Sequence, residues 1–248
     1  MNDLFKFSDF LTDFSAAAHE RGFVSRVLAD TPDGPVEAWE REGEGAIGYL
    51  SAGIHGDEPA GPLAVLELMR QGAFSEDLHW LICPALNPGG LVLGSRESRE
   101  HIDLNRDYLQ LRSLEIAAHA KWLARIPIPD FFVSLHEDWE SEGFYFYEIN
   151  LGEDCPERAD ALLGAVSESF PPEPGPEIDG HEARRPGWIY HSADADLPES
   201  WPEAIYLAKN GCPLSFTFET PSKARLQDRV AAHVAGFQAL TDWICMRK

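Results

Sequence analysis

Short apolar runs alternate with longer amphipathic stretches along this chain, and that alternation is the strongest constraint on its fold. Residues 47–54 and 78–86 read as buried strands and 36–41 alternates like a half-buried one. Residues 130–135, 144–149 and 213–218 complete the set. Between them, residues 4–21, 60–69, 113–125, 160–170, 198–209 and 223–246 read as helices. The first puts Phe7, Phe10, Leu11 and Phe14 on one side and stops at Gly22. Pro59 suits the first position of the second. Asn87-Pro88-Gly89-Gly90 breaks the pattern, residues 91–108 read as a polar ordered loop, and five prolines make 171–186 another loop. The whole predicts an α/β fold, a three-layer α/β/α sandwich around a central mixed, mostly parallel sheet.

Composition excludes several classes. The 248 residues suit one large domain better than two small ones, so residues 1–248 are expected to form a single domain. No run of eighteen apolar residues offers a membrane span. Asp9 and Asp13 interrupt the N-terminal segment before any signal-like apolar core, which leads us to expect a cytoplasmic protein. With 42 acids against 20 bases, the formal charge of −22 repels nucleic-acid phosphates and anionic membranes, so neither is expected as a partner. The four cysteines form no C-x-x-C pair and are irregularly spaced, against a cysteine zinc site or a disulfide framework. No glycine-rich phosphate loop follows a strand, against a nucleotide-binding enzyme. The oligomeric state is not legible.

Three strand candidates end in side chains that bind metals or move protons. Residues 47–54 lead into His55 and Glu58, 131–135 into His136, and 214–218 into Glu219. In open α/β sheets, sites form where strands end, beside a switch in strand order, so three strands can aim these groups at one crevice. Two neutral imidazoles and a carboxylate make a sound catalytic zinc set with a fourth place left for water. The metal would make that water acidic and polarise a carbonyl. A further carboxylate must then take the proton, and Glu219 fits that need. In the 91–108 loop, Arg96, Arg99 and Arg106 stand close together beside Asn105. A guanidinium fork binds a carboxylate bidentately, although a solvated loop with surface ion pairs would look the same. Asp103 could accept a hydrogen bond from a ligand histidine and fix its tautomer.

Several stretches resemble, in order, the motifs of the zinc carboxypeptidase family. They are Gly53-Ile54-His55-Gly56-Asp57-Glu58, Asn87-Pro88-Gly89-Gly90, Arg96, Asp103-Leu104-Asn105-Arg106-Asp107-Tyr108, Ser134-Leu135-His136 and Thr217-Phe218-Glu219. This carboxypeptidase A-like clan also holds murein peptide amidases and the succinylglutamate desuccinylase and aspartoacylase branch. The resemblance implies a zinc carboxypeptidase-like catalytic domain with one Zn2+ ion on His55, Glu58 and His136. It implies Glu219 as general base, and Asn105 with Arg106 on the substrate's terminal carboxylate. Arg96 would polarise the scissile carbonyl and stabilise the oxyanion, and Asp103 would orient the first ligand histidine.

The chain departs from the family pattern in places. Asn87-Pro88-Gly89-Gly90 replaces the frequent Asn-Pro-Asp-Gly, and Asn105-Arg106-Asp107 replaces Asn-Arg-Asn. Glu137 and Asp138 follow His136 as an acidic pair that lines the cleft or faces water. Tyr190 and Tyr206 are candidates for the family's mobile tyrosine. The activity implied is a zinc metallocarboxypeptidase or amidohydrolase. Its substrate would be a peptide C-terminus, including murein peptides with D-residues, or an N-acyl amino acid. Desuccinylase-like proteins commonly add a β-rich C-terminal domain, whereas this sequence ends in a helix soon after Glu219, so a peptide is expected. A non-catalytic homologue that only binds zinc is the third reading. The presence of every ligand, the base and the arginines speaks against it.

Overall fold

The computed structural model describes residues 5–246; the expected start of the first helix at residue 4 lies outside them. Helix α1 (Phe7–Glu20) buries the Phe7, Phe10 and Phe14 stripe that its spacing predicts. Strands β1 (Val24–Thr31) and β2 (Gly34–Arg41) form a hairpin. β1 was not foreseen, because most of its residues are exposed and it carries no apolar alternation. β3 (Ile47–Ala52), α2 (Ala60–Gln71) and β4 (His79–Cys83) follow as expected.

The chain then departs from the sequence expectation at a helix. Asn87-Pro88-Gly89-Gly90 does not break structure but begins α3 (Pro88–Leu93). Asn87 Oδ1 accepts the Gly90 N–H at 2.8 Å, and Pro88 occupies the first turn, where its missing N–H costs nothing. A 3-10 turn at Leu104–Arg106 precedes α4 (Leu114–Leu123), β5 (Phe131–Asp138) and β6 (Tyr145–Asn150). Helix α5 (Pro156–Val166) starts earlier than expected, again with proline in its first turn. The proline-rich loop holds a hairpin, β7 (Glu177–Ile178) and β8 (His181–Glu182), turning at Asp179 and Gly180 with φ of 47° and 72°. An Asp-Gly pair tolerates positive φ and is a hairpin signal that the proline count masked. β9 (Trp188–Tyr190), α6 (Glu203–Lys209), β10 (Leu214–Pro221) and α7 (Leu226–Met246) complete the chain. α6 begins five residues later than expected, after Pro202 in an extended conformation.

Among the described residues, eight strands form one mixed sheet in the order β1-β2-β4-β3-β5-β10-β6-β9. The pairs β3/β4, β3/β5, β5/β10 and β6/β9 are parallel, and the other three are antiparallel. Helices α1, α2, α5 and α7 share the core on one face, and α4 and α6 pack on the other. The chain leaves β3 through α2 to β4 on one side, then returns through α4 to β5 on the other. Strand order therefore reverses between β3 and β5, where a crevice opens beyond their C-terminal ends.

Strand alternation sorts the side chains there. On β5, Phe131, Val133 and Leu135 join the core of α1, α2, α5 and α7, so Ser134 and His136 face the other way. On β10, Phe216 and Phe218 join that same core, leaving Thr217 and Glu219 opposite. Parallel pairing then sets Glu219 beside His136, and antiparallel pairing sets it beside Tyr145.

The turn after β3 lies backbone to backbone against α3. A Cβ added to Gly56 would sit 1.8 Å from the Gly90 carbonyl carbon, a contact no side-chain shift relieves. Gly56→Ala is therefore expected to cost about 3 kcal/mol of stability or more, read from urea denaturation. A variant as stable as the parent would show that this close approach is not required.

Candidate metal centre and catalytic cleft

Three elements deliver one cluster. His55 and Glu58 sit in the turn between β3 and α2, and His136 sits in β5; all three are buried. His55 Nδ1 lies 2.7 Å from Glu58 Oε1, His136 Nδ1 lies 3.0 Å from Glu58 Oε2, and the two Nδ1 atoms are 3.2 Å apart. Two ring nitrogens facing each other across a carboxylate are stable only with a proton or a cation between them. His55 Nε2 faces Asp103 Oδ1 at 3.4 Å, which favours the tautomer with its proton on Nε2 and a lone pair on Nδ1. One ligand atom from each residue falls within 4.8 Å of the others. The donor set therefore fits a tetrahedral dication such as zinc, with His55, Glu58 and His136 as its holders.

The electrostatics follow from burial and mutual contact. Burial works to raise the Glu58 pKa, but the imidazoles of His55 and His136 outweigh it and hold the carboxyl well below the usual range. Burial alone would lower the His55 pKa, yet Glu58 and Asp103 raise it. For His136 burial prevails over Glu58 and the pKa falls. Burial, then the negative charges of Glu58 and Asp138, push Glu219 well above an ordinary carboxylate.

These residues open onto a cavity of about 330 Å³, a size that suits a small ligand. Arg96, Asn105, Arg106 and Glu219 line it together with His55, Glu58 and His136. Arg96 Nε donates to Asp103 Oδ2 at 3.1 Å, and its Nη1 lies 3.6 Å from Glu58 Oε1. Asn105 Oδ1 accepts the Glu203 N–H at 3.0 Å, which leaves its amide nitrogen as the end able to donate. Arg106 Nη1 donates to the Asn105 carbonyl at 2.9 Å. Arg99 is not part of the cluster, because it pairs with Asp33 at the β1–β2 turn.

The departures also acquire places. Asp107 accepts from Ser113 N and Oγ, both at 2.8 Å, so it secures the start of α4. Glu137 lines the cavity too, but its carboxylate is buried rather than turned to water. Strand alternation turns it to the opposite face, where it accepts the Ala60 N–H at 2.7 Å and pairs with Arg229. Asp138 does line the cavity and accepts from Tyr145 Oη at 3.1 Å. Neither Tyr190 nor Tyr206 lines the cavity; Tyr145 and Tyr147 do. The alternation of Tyr145, Tyr147 and Ile149 against Phe144, Phe146 and Glu148 could have revealed them.

A buried polar network lies behind Asn105, around Glu203. Glu203 accepts from Tyr49 Oη at 2.8 Å and Ser51 Oγ at 2.7 Å, while His119 bridges Tyr49 and Tyr108, both at 2.8 Å. Burial raises the Glu203 pKa from 4.5 to about 7 and lowers that of His119 to about 3. Native Glu203 keeps a proton that the unfolded chain releases, so this group's stabilising effect falls as pH rises from 4.5 to about 7. His119 acts in the opposite sense, its stabilising effect growing as pH rises from about 3 to 6.5, and it does so in both proteins. Glu203→Gln should therefore gain on the parent protein by about 3 kcal/mol between pH 4.5 and pH 8. Urea denaturation of both proteins at several pH values measures the difference, and a constant difference would contradict it.

Residues 45–125 match the family described as succinylglutamate desuccinylase/aspartoacylase catalytic domain. Over 108 residues the chain is 32% identical to Carboxypeptidase SOL1 of Arabidopsis thaliana, covering 35% of this chain but only 22% of that relative. A candidate metallopeptidase of Shewanella amazonensis SB2B superposes with a TM-score of 0.83 at 22% identity, covering 96% of this chain and 93% of that one. A metallo-carboxypeptidase from Burkholderia cenocepacia gives 0.75 at 17% identity, over 98% and 70% of the two chains. The sequence matches are confined to part of the chain, and the superpositions show that the whole of it shares the metallo-carboxypeptidase fold.

Proposed function

We propose that this chain is a zinc-dependent hydrolase that cuts an amide bond next to a carboxylate, most simply at the C-terminus of a peptide. The observation that carries this reading is the sharing of one cavity by His55, Glu58, His136, Glu219, Arg96 and Arg106. Zinc held by His55, Glu58 and His136 would supply Lewis-acid polarisation of the carbonyl and a more acidic water. Arg106 offers its fork, and Asn105 its amide N–H, to the substrate carboxylate. That contact sets which amide bond reaches the reacting position. Glu219 takes the proton of the attacking water and passes it to the leaving nitrogen. Arg96 lends positive charge to the oxygen on which negative charge develops. Asp103 holds both Arg96 and His55 in place.

Glu219→Gln keeps the shape of the side chain and removes its basicity. It should retain bound zinc by elemental analysis while kcat falls about 10²–10⁴-fold. Near-parental turnover in that variant would reject Glu219 as the base. Arg106→Ala should raise KM far more than it lowers kcat, since it removes binding to a part of the substrate that does not react. An unchanged KM would remove Arg106 from the carboxylate site.

A second substrate class has its own support. The match of residues 45–125 to a desuccinylase/aspartoacylase catalytic domain favours an N-acyl amino acid, whereas Carboxypeptidase SOL1 and the Burkholderia cenocepacia metallo-carboxypeptidase favour a peptide. Product analysis after incubation with a γ-D-glutamyl-diaminopimelate peptide, a C-terminal peptide library and N-acetylaspartate separates the two.

A further inference from the structure

The hairpin inside the proline-rich segment brings a second group of metal-binding side chains to the same cavity. His181, at the start of β8, and His191, just after β9, stack with ring centroids 5.0 Å apart and planes 27° apart. The edge of Tyr147 packs against both rings. Each imidazole turns Nε2 to a different oxygen of one carboxylate: His181 to Asp196 Oδ2 and His191 to Asp196 Oδ1, both at 3.4 Å. All three residues line the cavity that holds the His55 cluster.

Two details point to a cation rather than an ion pair. His191 Nδ1 lies 2.6 Å from the Ser192 carbonyl oxygen, which can only accept. The proton of a neutral ring is therefore on Nδ1, and the Nε2 lone pair faces the carboxylate. His181 Nε2 is buried and makes no hydrogen bond among the described residues. At 3.4 Å both contacts are longer than the roughly 2.7–2.9 Å of a charge-assisted hydrogen bond. One ligand atom from each of the three residues falls within 4.8 Å of the others, close enough to share one ion.

We infer that His181, His191 and Asp196 form a second site for a transition-metal dication of the zinc class, on the rim of the cavity. Two imidazoles and one carboxylate suit zinc or cobalt rather than magnesium or calcium, which prefer all-oxygen sets. Asp196 is largely exposed, so the site binds more weakly than the buried one. An ion there places positive charge among the acids of the mouth, Asp138, Glu140 and Asp179. The inference needs none of the catalytic roles proposed above.

Calorimetric titration of metal-free full-length protein with Zn2+ tests it, with Co2+ absorption reporting the ligand environment. The parent protein should bind two equivalents, one tight and one weaker. The double variant His181→Ala/His191→Ala should lose only the weaker, and Asp196→Asn, at an exposed position, should weaken it without disturbing the fold seen by circular dichroism. The variant His55→Ala/His136→Ala should keep the weaker equivalent, so failure of the buried site is told apart from failure of this one. A single equivalent in the parent protein would overturn the inference. So would a second equivalent that survives both His181→Ala/His191→Ala and Asp196→Asn.

Discussion

The cleft depends on one buried carboxylate between two imidazoles. Glu58 touches the Nδ1 atoms of His55 and His136, which stand 3.2 Å apart with little access to water. Such an arrangement is unfavourable unless positive charge offsets the loss of hydration. The surroundings commit to it: Asp103 steadies the far side of His55, and Arg96 joins Asp103 to Glu58. The scaffold then holds donors that would otherwise relax apart.

Backbone pairing does that holding. β3 pairs in parallel with β5, and β5 with β10, so the ends of three strands meet at the reversal of strand order. The turn carrying His55 is pressed onto α3, with Gly56 against Gly90, and Asn87 Nδ2 donates to the Ile54 carbonyl at 3.1 Å. Asn87-Pro88-Gly89-Gly90 thus contributes to the cleft from behind. Its asparagine caps a helix and ties down the end of β3, and its glycine admits the neighbouring backbone.

Negative charge dominates the mouth as it does the whole chain. Asp138, Glu140, Asp179 and Asp196 surround a cavity whose positive side chains include Arg96 and Arg106. Under the proposed function, a carboxylate-bearing ligand would be drawn to those arginines and repelled by most of the rim, so the field would orient it before contact. The hairpin that carries Asp179 and His181 falls in a stretch whose five prolines predict a loop. The Asp179-Gly180 turn within it was the legible signal.

Most of the order of helices and strands, and the strand ends at which His55, Glu58, His136 and Glu219 stand, were legible in the sequence because burial imposes a period on each element. Apolar alternation in β5 and β10 even encodes which residues share a face. β1 was illegible because it buries little, and α3 because capping by Asn87 depends on local hydrogen bonds that composition does not display. Which residues meet was decided by tertiary structure alone. Arg96 and Arg106 reach the cavity while Arg99 is drawn away by Asp33, and Glu137 turns to Ala60 and Arg229. His181 meets His191 and Asp196 only because a hairpin and a later loop fold onto one rim. The physical reason is range: periodicity reports a residue's own surroundings, whereas a site is made by contacts between segments far apart in the chain.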